Sequence, residues 1–168
     1  MKNLICIITC LFALNTSMAF AESGHSHSHG HSHTPHDGVL SSFSGSDNSG
    51  YIELKLHDDK GDLELWLSNA DQQAPFDIHL ASDVTVRFLN IENKAVTLKA
   101  RNKVNNEDED GKGNIRGNNT NYFIFPGDSG ESAEFLVGKH FSSHVAVSFM
   151  LDGVVYKTKA FLLTPHTH

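Results

Sequence analysis

The residues with the clearest chemistry are six histidines that alternate with serine and glycine near the amino terminus: His25, His27, His29, His31, His33 and His36. Neutral imidazole binds zinc, copper and nickel, and a polar chain with this alternation can fold several rings around one ion. Since the stretch offers no thiolate and no fixed supporting groups, we expect modest affinity and little metal selectivity. Zn²⁺ is the expected ion, with Cu²⁺ or Ni²⁺ as alternatives; the competing interpretation is a hydrophilic linker whose histidines are incidental.

A second candidate metal site joins the start and the end of the predicted domain. His36 and Asp37 lie where the histidine-rich stretch enters the domain, and His166 and His168 close the chain. Because the termini of a domain often lie close together, these side chains could form a partly ordered site. The alternative is two unrelated chain ends.

The other polar features are interpreted as solvated surface. His57 stands beside Asp58 and Asp59 in a turn, His140 and His144 are expected on the surface, and His79 is expected to be an ordinary strand residue. The acidic run at 107–110 lacks the ligand spacing of a calcium loop. No motif for a nucleophile, a bound phosphate or a dinucleotide is present, so we expect no enzyme.

The first residues predict export. Lys2 precedes an apolar run at 4–14, and Ala19-Phe20-Ala21 fits a cleavage site, so residues 1–21 are expected to be a signal peptide and the protein periplasmic. The run is too short to span a bilayer, and no membrane anchor is expected. Cys6 and Cys10 both lie in this segment, which leaves the mature chain without a thiol ligand. The formal charge of −7 argues against nucleic acid or anionic membrane as a partner.

The rest of the chain divides into an arm, a domain and a tail. Residues 22–37 are too polar to bury a core and are expected to be disordered. In residues 38–165, apolar residues alternate with polar ones in short runs, first at 52–56 and again at 63–67 around a turn at 58–61. This pattern without helical periodicity predicts an all-β, antiparallel immunoglobulin-like β-sandwich, with a barrel as alternative. Residues 166–168 form a histidine-containing tail, and 104–121 a long polar loop.

Several short motifs give the domain a family resemblance. Thr-Pro-His-Asp-Gly-Val at 34–39, Tyr-Ile-Glu-Leu at 51–54, Gly-Asp-Leu-Glu-Leu-Trp-Leu at 61–67 and the hairpin at 151–157 resemble the small periplasmic β-domain of heavy-metal cation efflux adaptor (membrane-fusion) proteins. The resemblance implies His36 and Glu53 as metal ligands. Asp37 replaces a family glycine and Tyr51 a family histidine, and the coiled-coil and lipoyl-like parts of a complete adaptor are missing, which implies a stand-alone relative.

Together these features favour a periplasmic protein that binds divalent transition metals, as a buffer or carrier supporting metal efflux or homeostasis. Its expected partners are the metal ions and a component of a metal efflux system. The alternative function is a protein-interaction module, accessory to a transporter, in which the β-sandwich binds the partner and the histidine arm is not essential.

Overall fold

The computed structural model describes residues 34–92, 94–102 and 104–166. The predicted signal peptide, the arm residues before Thr34 and His168 lie outside these ranges. The described chain forms two short 3-10 helices, Gly127–Ser129 and Glu134–Leu136, and the following strands: β1 Val39–Ser44, β2 Ser49–Leu56, β3 Leu63–Asn69, β4 Ile78–His79, β5 Val84–Phe88, β6 Ala95–Leu98, β7 Ile115–Arg116, β8 Asn119–Thr120, β9 Tyr122–Phe125, β10 Ser143–Leu151, β11 Val154–Thr158 and β12 Phe161–Leu163. Among the described residues, no helix has the length and apolarity needed to cross a membrane.

One antiparallel sheet makes up most of the fold. Its strand order is β6-β5-β10-β11-β1-β2-β3-β9, and β12 pairs with β10. Lys99, just after β6, and Ile124 in β9 exchange two backbone hydrogen bonds of 2.9 Å, so the sheet curls round until its two edges meet. A small sheet, β4-β8-β7, lies beside it. The prediction of an antiparallel all-β domain is confirmed, and its arrangement combines features of a barrel and a sandwich.

The core lies inside the curled sheet and follows the alternation of the sequence. Leu54 in β2 pairs with Leu65 in β3, which pairs in turn with Phe123 in β9, and all three are fully buried. Since successive side chains of a strand point to opposite faces, the same register sends every second residue of these strands outward. Burial of each such side chain contributes about 1.5–3 kcal/mol to the free energy of unfolding. A one-residue shift in pairing would lose this burial, so the core also determines which residues of these strands face outward.

The hairpin between β2 and β3 closes at the predicted turn. Gly61 has φ +73°, a left-handed conformation that glycine adopts without strain. A Cβ atom at this position would stand 2.4 Å from the carbonyl oxygen of Ala133. This close approach packs the turn against the segment before the second 3-10 helix.

The outward face of β2, β3 and β9 is not solvent-exposed. The segment between β6 and β9 lies over it, and the side chains of Asn106, Asp108 and Asn114 are buried beneath. Asn106 donates hydrogen bonds of 2.8 Å to Thr120 Oγ1 and to the Tyr122 carbonyl, which fasten the segment to the sheet. The interpretation of the acidic run at 107–110 as solvated is therefore wrong for Asp108, whose carboxylate is buried and accepts internal hydrogen bonds in place of those with water.

Candidate metal centre

Three potential ligand side chains meet above the covered face of the sheet. His57, Glu64 and Glu109 each bring one ligand atom, and these atoms all lie within 4.8 Å of one another. His57 Nε2 is 3.0 Å from Glu64 Oε2 and 3.7 Å from Glu109 Oε2. In the part of the chain that the structure describes, this is the one group of three or more histidine and carboxylate side chains with such spacing.

His57 is positioned by the end of β2 and the turn that follows. Its backbone N–H donates to the Asp62 carbonyl at 2.9 Å, and its own carbonyl accepts from the Gly61 N–H at 2.9 Å. The side chain continues the outward set of β2 and retains 16% exposure. The expectation that His57 is part of a solvated turn is therefore wrong, because its ring turns onto the sheet and pairs with Glu64.

Glu64 lies on the outward face of β3, directly across from Lys55 in β2. Its side chain is 4% exposed. One oxygen, Oε1, accepts a hydrogen bond from the Tyr122 hydroxyl, and the other, Oε2, bonds to His57. Both partners lie on neighbouring positions of the same covered face, so the carboxylate is held in one orientation.

Glu109 comes from a tight turn in the covering segment. A β-bridge between Glu107 and Gly113 closes this turn. The buried carboxylate of Asp108 stiffens it by accepting hydrogen bonds from the Lys112 N–H at 2.9 Å and from the Asn114 amide at 3.1 Å. Glu109 itself is 29% exposed and pairs through Oε1 with the buried Lys55 ammonium at 2.5 Å.

The local electrostatics favour a charged pair when no metal is bound. The hydrogen bond with Glu64 raises the pKa of His57 above its usual value, against the opposing effect of burial. Burial alone would disfavour ionised Glu64, but the hydrogen bonds from His57 and Tyr122 outweigh it and lower the pKa of Glu64. Burial, together with the hydrogen bond to Glu64, raises the pKa of Tyr122, so the phenol remains a proton donor.

A cavity of about 430 Å³ opens beside the three ligands. Its walls include His57, Glu64 and Glu109 together with Arg101 and Asp128. An ion held by the three side chains would face this space and could take water or another ligand from it. The site therefore has an entry path as well as protein ligands.

His36 and Glu53 meet elsewhere on the covered face. Glu53 Oε1 accepts hydrogen bonds from the backbone N–H groups of His36 at 2.8 Å and Gly38 at 2.9 Å. The His36 ring stacks on Trp66, with centroids 3.9 Å apart and planes 2° from parallel. His36 Nδ1 is buried and makes no hydrogen bond to the described residues. Glu53 thus holds the turn of residues 34–38, and the two side chains do not form a three-ligand group with any other described residue.

His166 lies beside His57 of the candidate metal centre. Its N–H donates to the Leu56 carbonyl at 2.9 Å, and it forms a parallel β-bridge with His57. The C-terminal segment thus contacts the end of β2, and the predicted site that joins His36 and Asp37 with His166 and His168 stays a prediction, since His168 is not among the described residues. His25, His27, His29, His31, His33 and His168 are outside the described residues. His140 and His144 are exposed, as expected, and His79 lies in β4, as predicted.

Sequence reasoning missed Glu64 and Glu109. Glu64 alternates with core leucines and looks like an ordinary solvent-facing strand residue, and Glu109 stands in an acidic run. The sequence signal that this face is covered was Trp66, which shares the outward face with Glu64 and whose large apolar ring is unfavourable to expose to water.

Comparison with protein-family models, with curated proteins and with solved structures finds no match.

Proposed function

We propose that this protein binds divalent transition-metal ions in the periplasm, as a buffer or carrier that supports metal efflux or homeostasis, and that His57, Glu64 and Glu109 form its ordered site. The observation that carries the proposal is the convergence of one imidazole nitrogen and two carboxylate oxygens within 4.8 Å. They come from the end of β2, the start of β3 and a separate turn.

The spacing of the three atoms suits zinc. With metal–ligand bonds near 2.1 Å, the ligands of a tetrahedral zinc ion stand about 3.4 Å apart. The distances of 3.0 Å and 3.7 Å from His57 Nε2 to the two carboxylates fall on either side of that value. The fourth position would face the cavity. Copper and nickel remain the alternative ions, since the ligand set contains nitrogen and oxygen only.

The arm histidines and the ordered site would differ in affinity. From its serine and glycine content we expect the arm to lose chain entropy when it surrounds an ion, whereas His57 and Glu64 are already oriented by hydrogen bonds. We therefore assign weak, exchangeable binding to His25, His27, His29, His31 and His33, and tighter binding to the ordered site. This combination is what a periplasmic metal buffer or carrier requires.

Calorimetric titration with zinc separates the two kinds of site. A full chain with the five arm histidines 25–33 replaced by serine should bind one ion tightly. Adding His57→Ala should abolish that tight binding. His144→Ala, which removes an exposed histidine from β10, is the matched control and should leave it intact. Tight binding that survives His57→Ala would overturn the ordered site.

A further inference from the structure

Each carboxylate of the proposed metal site turns only one of its two oxygens toward the other ligand side chains. Glu109 Oε1 accepts from the Lys55 ammonium at 2.5 Å, while Oε2 lies toward His57. Glu64 Oε1 accepts from the Tyr122 hydroxyl, while Oε2 lies toward His57. In both side chains, the oxygen that does not face His57 therefore accepts a hydrogen bond from a neighbouring donor.

The two donors are fixed in place. The Lys55 side chain is 5% exposed, and its backbone pairs with Glu64 one position from the turn end of the β2–β3 ladder. Tyr122 is fully buried, and its ring lies against Trp66 with centroids 5.1 Å apart. Neither donor can leave its carboxylate without losing packing or exposing a buried polar group, so both are permanent parts of the site.

Which cations fit depends on how many oxygens the site can offer. Calcium takes 6–8 oxygen ligands and commonly uses both oxygens of a carboxylate, whereas zinc is satisfied by four ligands at shorter distances. A site whose carboxylates are each limited to one oxygen supplies three protein ligands. That number is right for zinc with one open position, whereas calcium would have to fill at least three further positions with water or other oxygens.

We propose that Lys55 and Tyr122 are specificity-determining residues, which reserve one oxygen of Glu109 and one of Glu64 and thereby exclude calcium in favour of zinc. The inference rests on the proposed function and adds a mechanism for selectivity. Lys55 also places a positive charge near the ion, and this charge disfavours every divalent cation alike. The ratio of zinc affinity to calcium affinity therefore isolates the effect of the occupied oxygens.

The test measures dissociation constants for Zn²⁺ and Ca²⁺ by calorimetry in the full chain carrying the arm serines. Lys55→Met and Tyr122→Phe each free one carboxylate oxygen, and Tyr122→Phe does so without changing charge. The matched controls are Lys60→Met, which removes an exposed charge that also borders the cavity, and Tyr51→Phe, which removes a hydroxyl from β2. Thermal unfolding serves to check that each variant is folded.

We expect both test variants to lower the preference for zinc over calcium by about tenfold, the size of change typical for partners of metal ligands. The controls should keep the original preference. An unchanged preference in Lys55→Met and Tyr122→Phe, with tight zinc binding retained, would overturn this inference alone. Zinc binding that survives His57→Ala would instead overturn the proposed site and the inference with it.

Discussion

Glu53 provides the sharpest test of whether a buried carboxylate of this domain stabilises the fold or takes the metal-binding role that we propose for Glu64 and Glu109. Its Oε1 accepts two backbone hydrogen bonds, from His36 and Gly38, and the side chain is 5% exposed. A hydrogen bond to a charged group contributes about 1.5–3 kcal/mol. Because the turn can partly rehydrate when both bonds are lost, we expect Glu53→Ala to reduce the free energy of unfolding by about 2–4 kcal/mol.

Glu53→Gln separates the acceptor from the charge. The amide oxygen of glutamine can still accept both N–H groups, so only the charge assistance is lost, and we expect a cost of about 1–2 kcal/mol. Urea unfolding followed by the fluorescence of Trp66, the one tryptophan of the chain, measures both losses. Glu131→Ala removes an exposed carboxylate and is the control.

The same variants distinguish a structural role from a metal ligand. With the arm histidines replaced by serine, Glu53→Gln should bind zinc with unchanged stoichiometry and affinity. The reasoning is refuted if Glu53→Ala is as stable as the Glu131→Ala control, or if Glu53→Gln loses the tight zinc site.

Two further predictions concern stability. Because the pKa of His57 is raised in the folded state, its contribution to the free energy of unfolding is complete below its ordinary pKa of 6.5 and is lost as pH rises through the folded pKa. Because the pKa of Glu64 is lowered, its contribution is complete above its ordinary pKa of 4.5 and is lost as pH falls through the folded pKa. The pair should therefore stabilise the fold most between pH 4.5 and 6.5. Glu64→Gln should lose this pH dependence when unfolding is measured by scanning calorimetry with EDTA present. A plot of stability against pH that runs parallel to that of the unaltered protein would contradict this prediction. Gly61→Ala should cost more than the roughly 1–2 kcal/mol of a left-handed alanine, because its Cβ would meet the Ala133 carbonyl. Gly153→Ala, with φ +78° and open space around it, should cost only that amount, and equal losses in urea unfolding would count against the close approach.

The strands were predictable because their physics is local. Ile52, Leu54 and Leu56 alternate with polar residues, and a turn sequence separates them from Leu63 and its partners. A one-residue slip would turn the whole set away from the core, so the alternation fixes which face is buried, and the turn selects the register that pairs Leu54 with Leu65.

The cluster of His57, Glu64 and Glu109 was not predictable because it depends on what covers the second face of the sheet. Alternation assigns Lys55 and Glu64 to the outward side but does not say whether that side meets water. The cover comes from a polar segment that buries itself through the hydrogen bonds of Asn106 and Asp108, not through apolar surface. Glu109 reaches the site only because that segment folds back over β2 and β3, a long-range event with no periodic signal.

The most direct test of the central claim is anomalous diffraction at the zinc edge. Crystals of the full chain with the arm serines, grown with zinc, should show one strong peak about 2.0–2.2 Å from His57 Nε2 and from one oxygen each of Glu64 and Glu109. A strong peak elsewhere in the domain, with His57 still bonded directly to Glu64 at its present distance, would contradict the account.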